Sequence, residues 1–228
     1  MLKKLVSQEG LKVLACVTML LDHLGAVLIP GAGLRVIGRL SFPIYCFLVS
    51  EGIAHTRNAH RYCFRMLLGA CLAELPFDLL FFHRLTWQHQ NVMITLLIGA
   101  EMLNWAKKRG NIAIPLSVCF FLAEFCQSDY GGWGVMLIAL FYLTTDRPGD
   151  GLLQLLGMTA IFLAMESWRI PVGDRWIPIQ VFGVFALIPI WCYSGKKRSH
   201  DQLVQTIFYL FYPVHLVILL LYRSIVRG

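Results

Sequence analysis

The residues able to do chemistry in this chain lie inside apolar runs. The stretch 11–28, LKVLACVTMLLDHLGAVL, holds Lys12 at its start and the pair Asp22-His23 beyond its middle. A carboxylate at the centre of a membrane helix costs about 2.5–3.5 kcal/mol, so ionisable groups that persist there face a bundle interior or a watery cavity and are functional by default. Lys12 and His23 are eleven positions apart, three helical turns plus roughly 20°, which puts a cation and an imidazole on one face about 16 Å apart. Asp22 lies about 100° round the helix from His23, which predicts a partner for it on another helix. The alternative for both residues is purely structural pairing with buried polar groups elsewhere.

Glu74 and Asp78 are four positions apart with Pro76 between them. On one helical face in a low-dielectric site, two carboxylates resist ionising together unless a cation intervenes, and Arg39 is a candidate. Counted from the cytosolic membrane edge, Glu74 lies ~13 Å deep, His23 ~16 Å, His215 ~18 Å and Asp78 ~19 Å. Depth is one coordinate of three. Glu51 falls near the same edge as Lys12, either in a functional site or as a surface carboxylate paired with Lys12 or Arg57. Asn91 and Thr95, one turn apart, either hydrogen-bond into the same cavity or serve as an N-cap and a satisfied interior hydroxyl. Pro43 and Pro213 lack an N–H, so the carbonyls of Arg39 and Tyr209 lose their helical partners. The turn SDYGGWG at 128–134 holds no strong ligand set, and its glycines suit a tight helix entry.

These groups need a membrane scaffold to position them. Hydrophobic residues make up 57% of the 228 and charged residues 14%, with a mean hydropathy of +0.65, which leaves too little polar surface for a soluble globule. The composition predicts an all-α polytopic transmembrane bundle forming a single domain over 1–228. Spans are expected near 11–29, 34–54, 65–82, 91–106, 111–127, 132–145, 151–167, 177–193 and 203–223, about nine helices with eight or ten also open. Pro30 with Gly31, Pro148 with Gly149, and Ser194-Gly195 read as turns. Lys3 and Lys4 precede the first apolar run, which reads as a retained anchor rather than a cleaved signal.

The net charge of +7 belongs mainly to short loops, so it sets topology and does not indicate nucleic acid. Counted by alternate sides, thirteen basic residues (Lys3, Lys4, Lys12, Arg57, Arg61, Arg65, Lys107, Lys108, Arg109, Arg147, Lys196, Lys197, Arg198) share the N-terminal side against seven opposite. The positive-inside rule then places the N-terminus in the cytoplasm and the C-terminus outside. Seven cysteines in or beside apolar segments, with no C-x-x-C pair, predict neither a metal site nor a disulfide framework. Motifs for ATP hydrolysis, nicotinamide binding and zinc proteolysis are missing from the sequence.

Together, Lys12-x10-His23 with Asp22, Gly38-Arg39 with Phe42-Pro43, Glu51-Gly52, Glu74-x-Pro76-Phe77-Asp78, Asn91-Val92, Thr95, and Tyr212-Pro213-x-His215 resemble the TraX family of integral-membrane proteins. The resemblance runs from about residue 9 to 220, dense in the first hundred residues and thin from 110 to 200. It implies a multi-pass acetyltransferase of the bacterial inner membrane. The acyl donor would be acetyl-CoA and the acceptor the N-terminal amine of a pilin-like protein. The Lys12-to-His23 spacing is also similar to the Arg-x10-His element of broader membrane acyltransferases, which implies a cell-surface glycan hydroxyl as the other acceptor. Here Lys12 keeps the charge of that Arg but loses its bidentate grip on phosphate. By this resemblance Lys12, Arg39, Glu51 and Arg65 belong to the donor site, His23, Asp22, Glu74, Asp78 and His215 to the reacting centre, and Asn91, Thr95 and Tyr212 to the acceptor site. An imidazole in such a place acts as general base or transient acyl acceptor. A proton-coupled transporter and a non-catalytic component of pilus or secretion assembly stay open, the first because a mid-membrane His/Asp/Glu chain is also what a proton relay needs.

Overall fold

The computed structural model describes residues 5–29, 31–144, 149–165, 167–172, 174–196 and 202–227, without the side chains of 202–204 and 227. Pro30 and Pro148, expected as turn residues, and Lys3, Lys4, Arg147, Lys197 and Arg198 of the basic set lie outside the described residues.

The apolar runs fold as helices α1 (Gln8–Val27), α2 (Ala32–Gly38), α3 (Ser41–His55), α4 (Ala59–Phe81), α5 (Val92–Arg109), α6 (Ala113–Phe125), α7 (Gly131–Leu143), α8 (Asp150–Ala164), α9 (Leu187–Trp191) and α10 (Gln202–Arg227). A hairpin of β1 (Arg169–Val172) and β2 (Arg175–Pro178) leads into a 3-10 helix, Ile179–Ala186, continued by α9. Taken end to end, α2 with α3 and the 3-10 helix with α9 each make one segment, so the described residues form nine helical segments, as the hydropathy pattern predicts. The hairpin has no counterpart in that pattern, because its strands are only four residues each and hold too few apolar positions to show a period of two.

Among the described residues, three segments combine the length and hydropathy to cross a bilayer: Gln8–Val27, Ala32–His55 and Gln205–Val226. Helix α4 is long enough at 23 residues, but Arg61, Arg65, Glu74 and Asp78 dilute its hydropathy. Its outer face nonetheless exposes Phe64, Leu68, Leu72 and Leu75, while Met66, Ala70, Ala73 and Phe77 are buried on the other. Apolar residues on both faces are what a helix set between protein and lipid requires.

The expected break at Pro43 falls earlier. Arg39 caps α2, its N–H donating to the Arg35 carbonyl at 3.1 Å, and Pro43 sits in the first turn of α3, where a missing N–H costs nothing. Pro76 and Pro213 lie inside helices that run on through them.

Contacts gather the chain into two compact units, Met1–Leu48 with Leu143–Gln202 and Val49–Tyr142 with Leu203–Gly228. In the first unit α1 packs on α2, and α8 on the 3-10 helix. The N–H groups of Leu5 and Val6 donate to the Cys192 carbonyl at 2.9 and 3.0 Å, and Ser194 N–H donates back to Val6 at 2.9 Å, so the start of α1 is clasped to the end of α9. In the second unit α5 lies against α4 and α6, and most of its length is buried. Helix α10 turns Tyr212, His215, Leu216 and Leu219 inward and exposes Leu210, Val214, Val217, Ile218 and Leu221. The 128–134 turn enters α7 through Gly131, whose φ of +51° favours glycine, as the sequence predicts.

Candidate functional site

Each unit carries its own cluster of the predicted residues. In the first, α1 runs unbroken through both Lys12 and His23, so the three-turn spacing that aligns them holds in the fold. Both are half-buried. Asp22 turns to α2, as its position round the helix predicts. Its Oδ1 accepts from the Arg39 guanidinium and lies 3.5 Å from Arg35 Nε. Arg39 is 7% exposed, and a guanidinium so buried requires a carboxylate partner. Gly38 makes the approach possible, since a Cβ there would collide with Asp22. Two further bonds tie α1 to α3: Ser41 Oγ donates to the Ala15 carbonyl at 3.0 Å, and Cys16 Sγ lies 3.2 Å from the Tyr45 hydroxyl. Arg39, a candidate cation for Glu74 and Asp78 on sequence grounds, is thus engaged by Asp22. Arg35, passed over in the sequence, belongs to the same clamp, and its position four residues before Arg39 was the signal for it.

In the second unit α4 presents Glu74 and Asp78 towards the loop ahead of α5. Asn91 is fully buried. It is the N-cap of α5, its Oδ1 accepting from Met93 N–H at 3.0 Å, while its Nδ2 donates to the Ala70 carbonyl at 3.0 Å and to Glu74 Oε2. The N-cap reading of Asn91 therefore holds, and the same side chain also pairs with Glu74. Asp78, 3% exposed, accepts from Thr86 N–H at 2.9 Å through Oδ2. Its Oδ1 and Glu74 Oε1 are buried without a hydrogen-bond partner among the described residues. Buried carboxylate oxygens left in this way are open to a hydrogen-bond donor.

Of the other predicted residues of this unit, Thr95 and Tyr212 lie near this loop, while Glu51 and Arg65 make their contacts elsewhere. Thr95 is fully buried and accepts from Tyr130 N–H at 3.4 Å. Gln90 pairs with the 127–129 turn, donating to the Gln127 carbonyl at 3.1 Å and accepting from Asp129 at 3.0 Å. The Tyr212 hydroxyl hydrogen-bonds to the backbone of Val92 and lies within electrostatic range of Asp129 and Glu74. Asp129 and Tyr130 sit in the turn that the sequence gives no ligand role, because main-chain pairing rather than side-chain type brings them here. His215 is one turn beyond Tyr212, with ring centroids 5.5 Å apart. Its Nδ1 is 2.8 Å from the Phe211 carbonyl. A carbonyl only accepts, so Nδ1 carries the proton and Nε2 holds the lone pair of the neutral ring. Glu51 lies 3.9 Å from His55 Nδ1, and the Arg65 guanidinium stacks over Tyr62 at 5.9 Å and Tyr209 at 5.5 Å.

A family profile described as TraX protein matches residues 7–223. The chain belongs to the TraX family. Among curated relatives, the TraX chain is 28% identical over 234 aligned positions to a protein named probable fimbrial assembly protein FimC, serogroup H1, of Dichelobacter nodosus, covering 92% of each. An uncharacterized protein of Rickettsia prowazekii strain Madrid E is 25% identical over 180 positions, covering 73% of this chain and 68% of its own. No solved structure gives a significant match. The TraX match spans both units and takes in Lys12, Asp22, His23, Arg39, Glu74, Asp78, Asn91 and His215.

Proposed function

We propose that this TraX-family protein serves pilus biogenesis as a membrane-embedded acetyltransferase of the bacterial inner membrane, moving acetyl from acetyl-CoA to the N-terminal amine of a pilin-like protein, or to a surface-glycan hydroxyl. The pilus connection is supported by the family and by a fimbrial-assembly relative aligned along nearly the whole chain. The observation that carries the chemistry is the alignment of Lys12 and His23 on one unbroken helix, anchored beside His23 by the Asp22 clamp on Arg39.

In this reading His23 takes a proton from the attacking amine as its nitrogen forms a bond to the acetyl carbonyl. The C–S bond then breaks, and the imidazolium returns the proton to the departing thiolate. An N-terminal amine, with an ordinary pKa near 7.7–8.0, is already partly neutral at physiological pH, so a base of imidazole strength suffices. Lys12 supplies charge to the donor phosphates. Arg39, buried and held by Asp22, acts by fixing α1. Acetyl-CoA should raise the melting temperature of the detergent-solubilised protein, and Lys12→Ala should weaken acetyl-CoA about tenfold, the worth of one charge-assisted hydrogen bond, without unfolding the chain. A melting temperature indifferent to acetyl-CoA in the unmodified protein would remove the acetyltransferase reading.

One observation favours a second reading. The buried, unpartnered oxygens of Asp78 and Glu74 suit a group that binds and releases protons during transport. Proton uptake by proteoliposomes, driven by a candidate solute and lost in Asp78→Asn, would replace acyl transfer with that activity.

A further inference from the structure

The ends of α3, α4 and α5 in the second unit assemble a basic surface that the acyl-transfer reading does not use. Lys107 Nζ donates to the carbonyls of Ile53 and Ala54 at 2.8 and 3.1 Å, capping the end of α3. Its neighbour Lys108 lies 3.1 Å from His60 Nε2 in the first turn of α4. Those two contacts bring Arg57, His60, Arg61, Lys108 and Arg109 to one exposed end. Arg57 and Arg61 make no ion pair among the described residues, and α4 opens with no acidic residue in its first turn. Positive side chains at a helix N-terminus oppose the helix dipole, so the arrangement costs stability unless an anion sits there.

The face of α4 below this end shows what kind of anion fits. Arg61, Phe64, Leu68, Leu72 and Leu75 fall within about 80° of one another round the helix. Phe64 and the three leucines are each about half exposed. A cationic head above a lipid-length apolar stripe on a single helix is the outline of one phospholipid. Arg109 lies 5.3 Å over the Trp105 ring, a pairing suited to headgroup depth. We propose that the joined ends of α3, α4 and α5 bind an anionic phospholipid, its phosphate among Arg57, Arg61 and Lys108 and its acyl chains along Phe64, Leu68, Leu72 and Leu75.

The test uses the full chain purified into nanodiscs of phosphatidylcholine alone, or with a minor fraction of phosphatidylglycerol or cardiolipin, and counts retained anionic lipid by native mass spectrometry. The unmodified protein should retain anionic lipid over phosphatidylcholine. Each of Arg57→Gln, Arg61→Gln and Lys108→Gln should weaken retention about fivefold, as for a cation at a membrane surface. Arg61→Lys should restore it, and Arg84→Gln, which removes a charge from the far end of α4, should change nothing. Leu72→Asn tests the stripe separately and should lower retention with the cations intact. Equal retention in the unmodified protein and the Arg57→Gln/Arg61→Gln/Lys108→Gln triple variant would overturn the proposal. So would an Arg84→Gln effect as large as that of Arg61→Gln, which would reduce the preference to overall charge.

Discussion

Asp22 holds two arginines, Arg35 and Arg39, on one carboxylate oxygen. Replacing it with Asn keeps the shape and removes the charge. Breaking a buried pair from one side costs about 3–5 kcal/mol, because the remaining charge is left uncompensated. Asp22→Asn should therefore unfold at markedly lower denaturant or temperature, and Arg39→Met in the same background should recover part of the loss. An Asp22→Asn protein as stable as the parent would show that Arg39 finds a different partner. That Asp22 mattered was legible from a carboxylate inside an apolar run. That Arg35 and Arg39 would meet it was less so, because the meeting depends on the turn between α1 and α2 and on the bare backbone of Gly38.

At the scale of elements, α5 begins where Asn91 does two jobs, capping the helix and satisfying Glu74. Asn91→Ala removes both and should cost about 1–3 kcal/mol, the penalty of a lost cap together with buried groups left unpaired. Asn91→Ser keeps the capping oxygen but cannot span to Glu74 and Ala70 together, so it should recover only the cap. Chemical denaturation of the two variants in matched detergent measures the difference; equal losses would mean that the Glu74 bond contributes nothing. The sequence singles out Glu74, Asp78 and Asn91 as candidates, since each is a polar interruption of an apolar pattern. It could not pair them, because Glu74 and Asn91 are seventeen residues apart and meet only once the 82–91 loop closes. Segment lengths fall short of what hydropathy alone suggests: α6 and α7 have 13 residues each, about 20 Å of helix against a hydrocarbon core of about 30 Å.

For the whole molecule, depth arithmetic put four titratable residues at one level of the membrane. The fold assigns His23 to one compact unit and Glu74, Asp78 and His215 to the other, a division invisible to any one-dimensional measure because α10 returns to the unit built around α5. Topology follows from charge. With thirteen of the twenty Lys and Arg on the N-terminal side, a reporter fused after Arg109 should report cytoplasm and one after Gly228 the outside. A cytoplasmic C-terminus would mean that an even number of segments cross, and the short helices α6 to α8 are where a crossing would be lost. The central claim, acetyl transfer with His23 as base, is tested most directly by single-turnover transfer from saturating acetyl-CoA in unmodified, His23→Ala and His215→Ala proteins. The account predicts transfer by the unmodified protein, a loss of about 10²–10⁴ in rate for His23→Ala with acetyl-CoA binding retained, and a much smaller loss for His215→Ala. Near-normal transfer by His23→Ala with loss in His215→Ala would contradict it and move the base to α10.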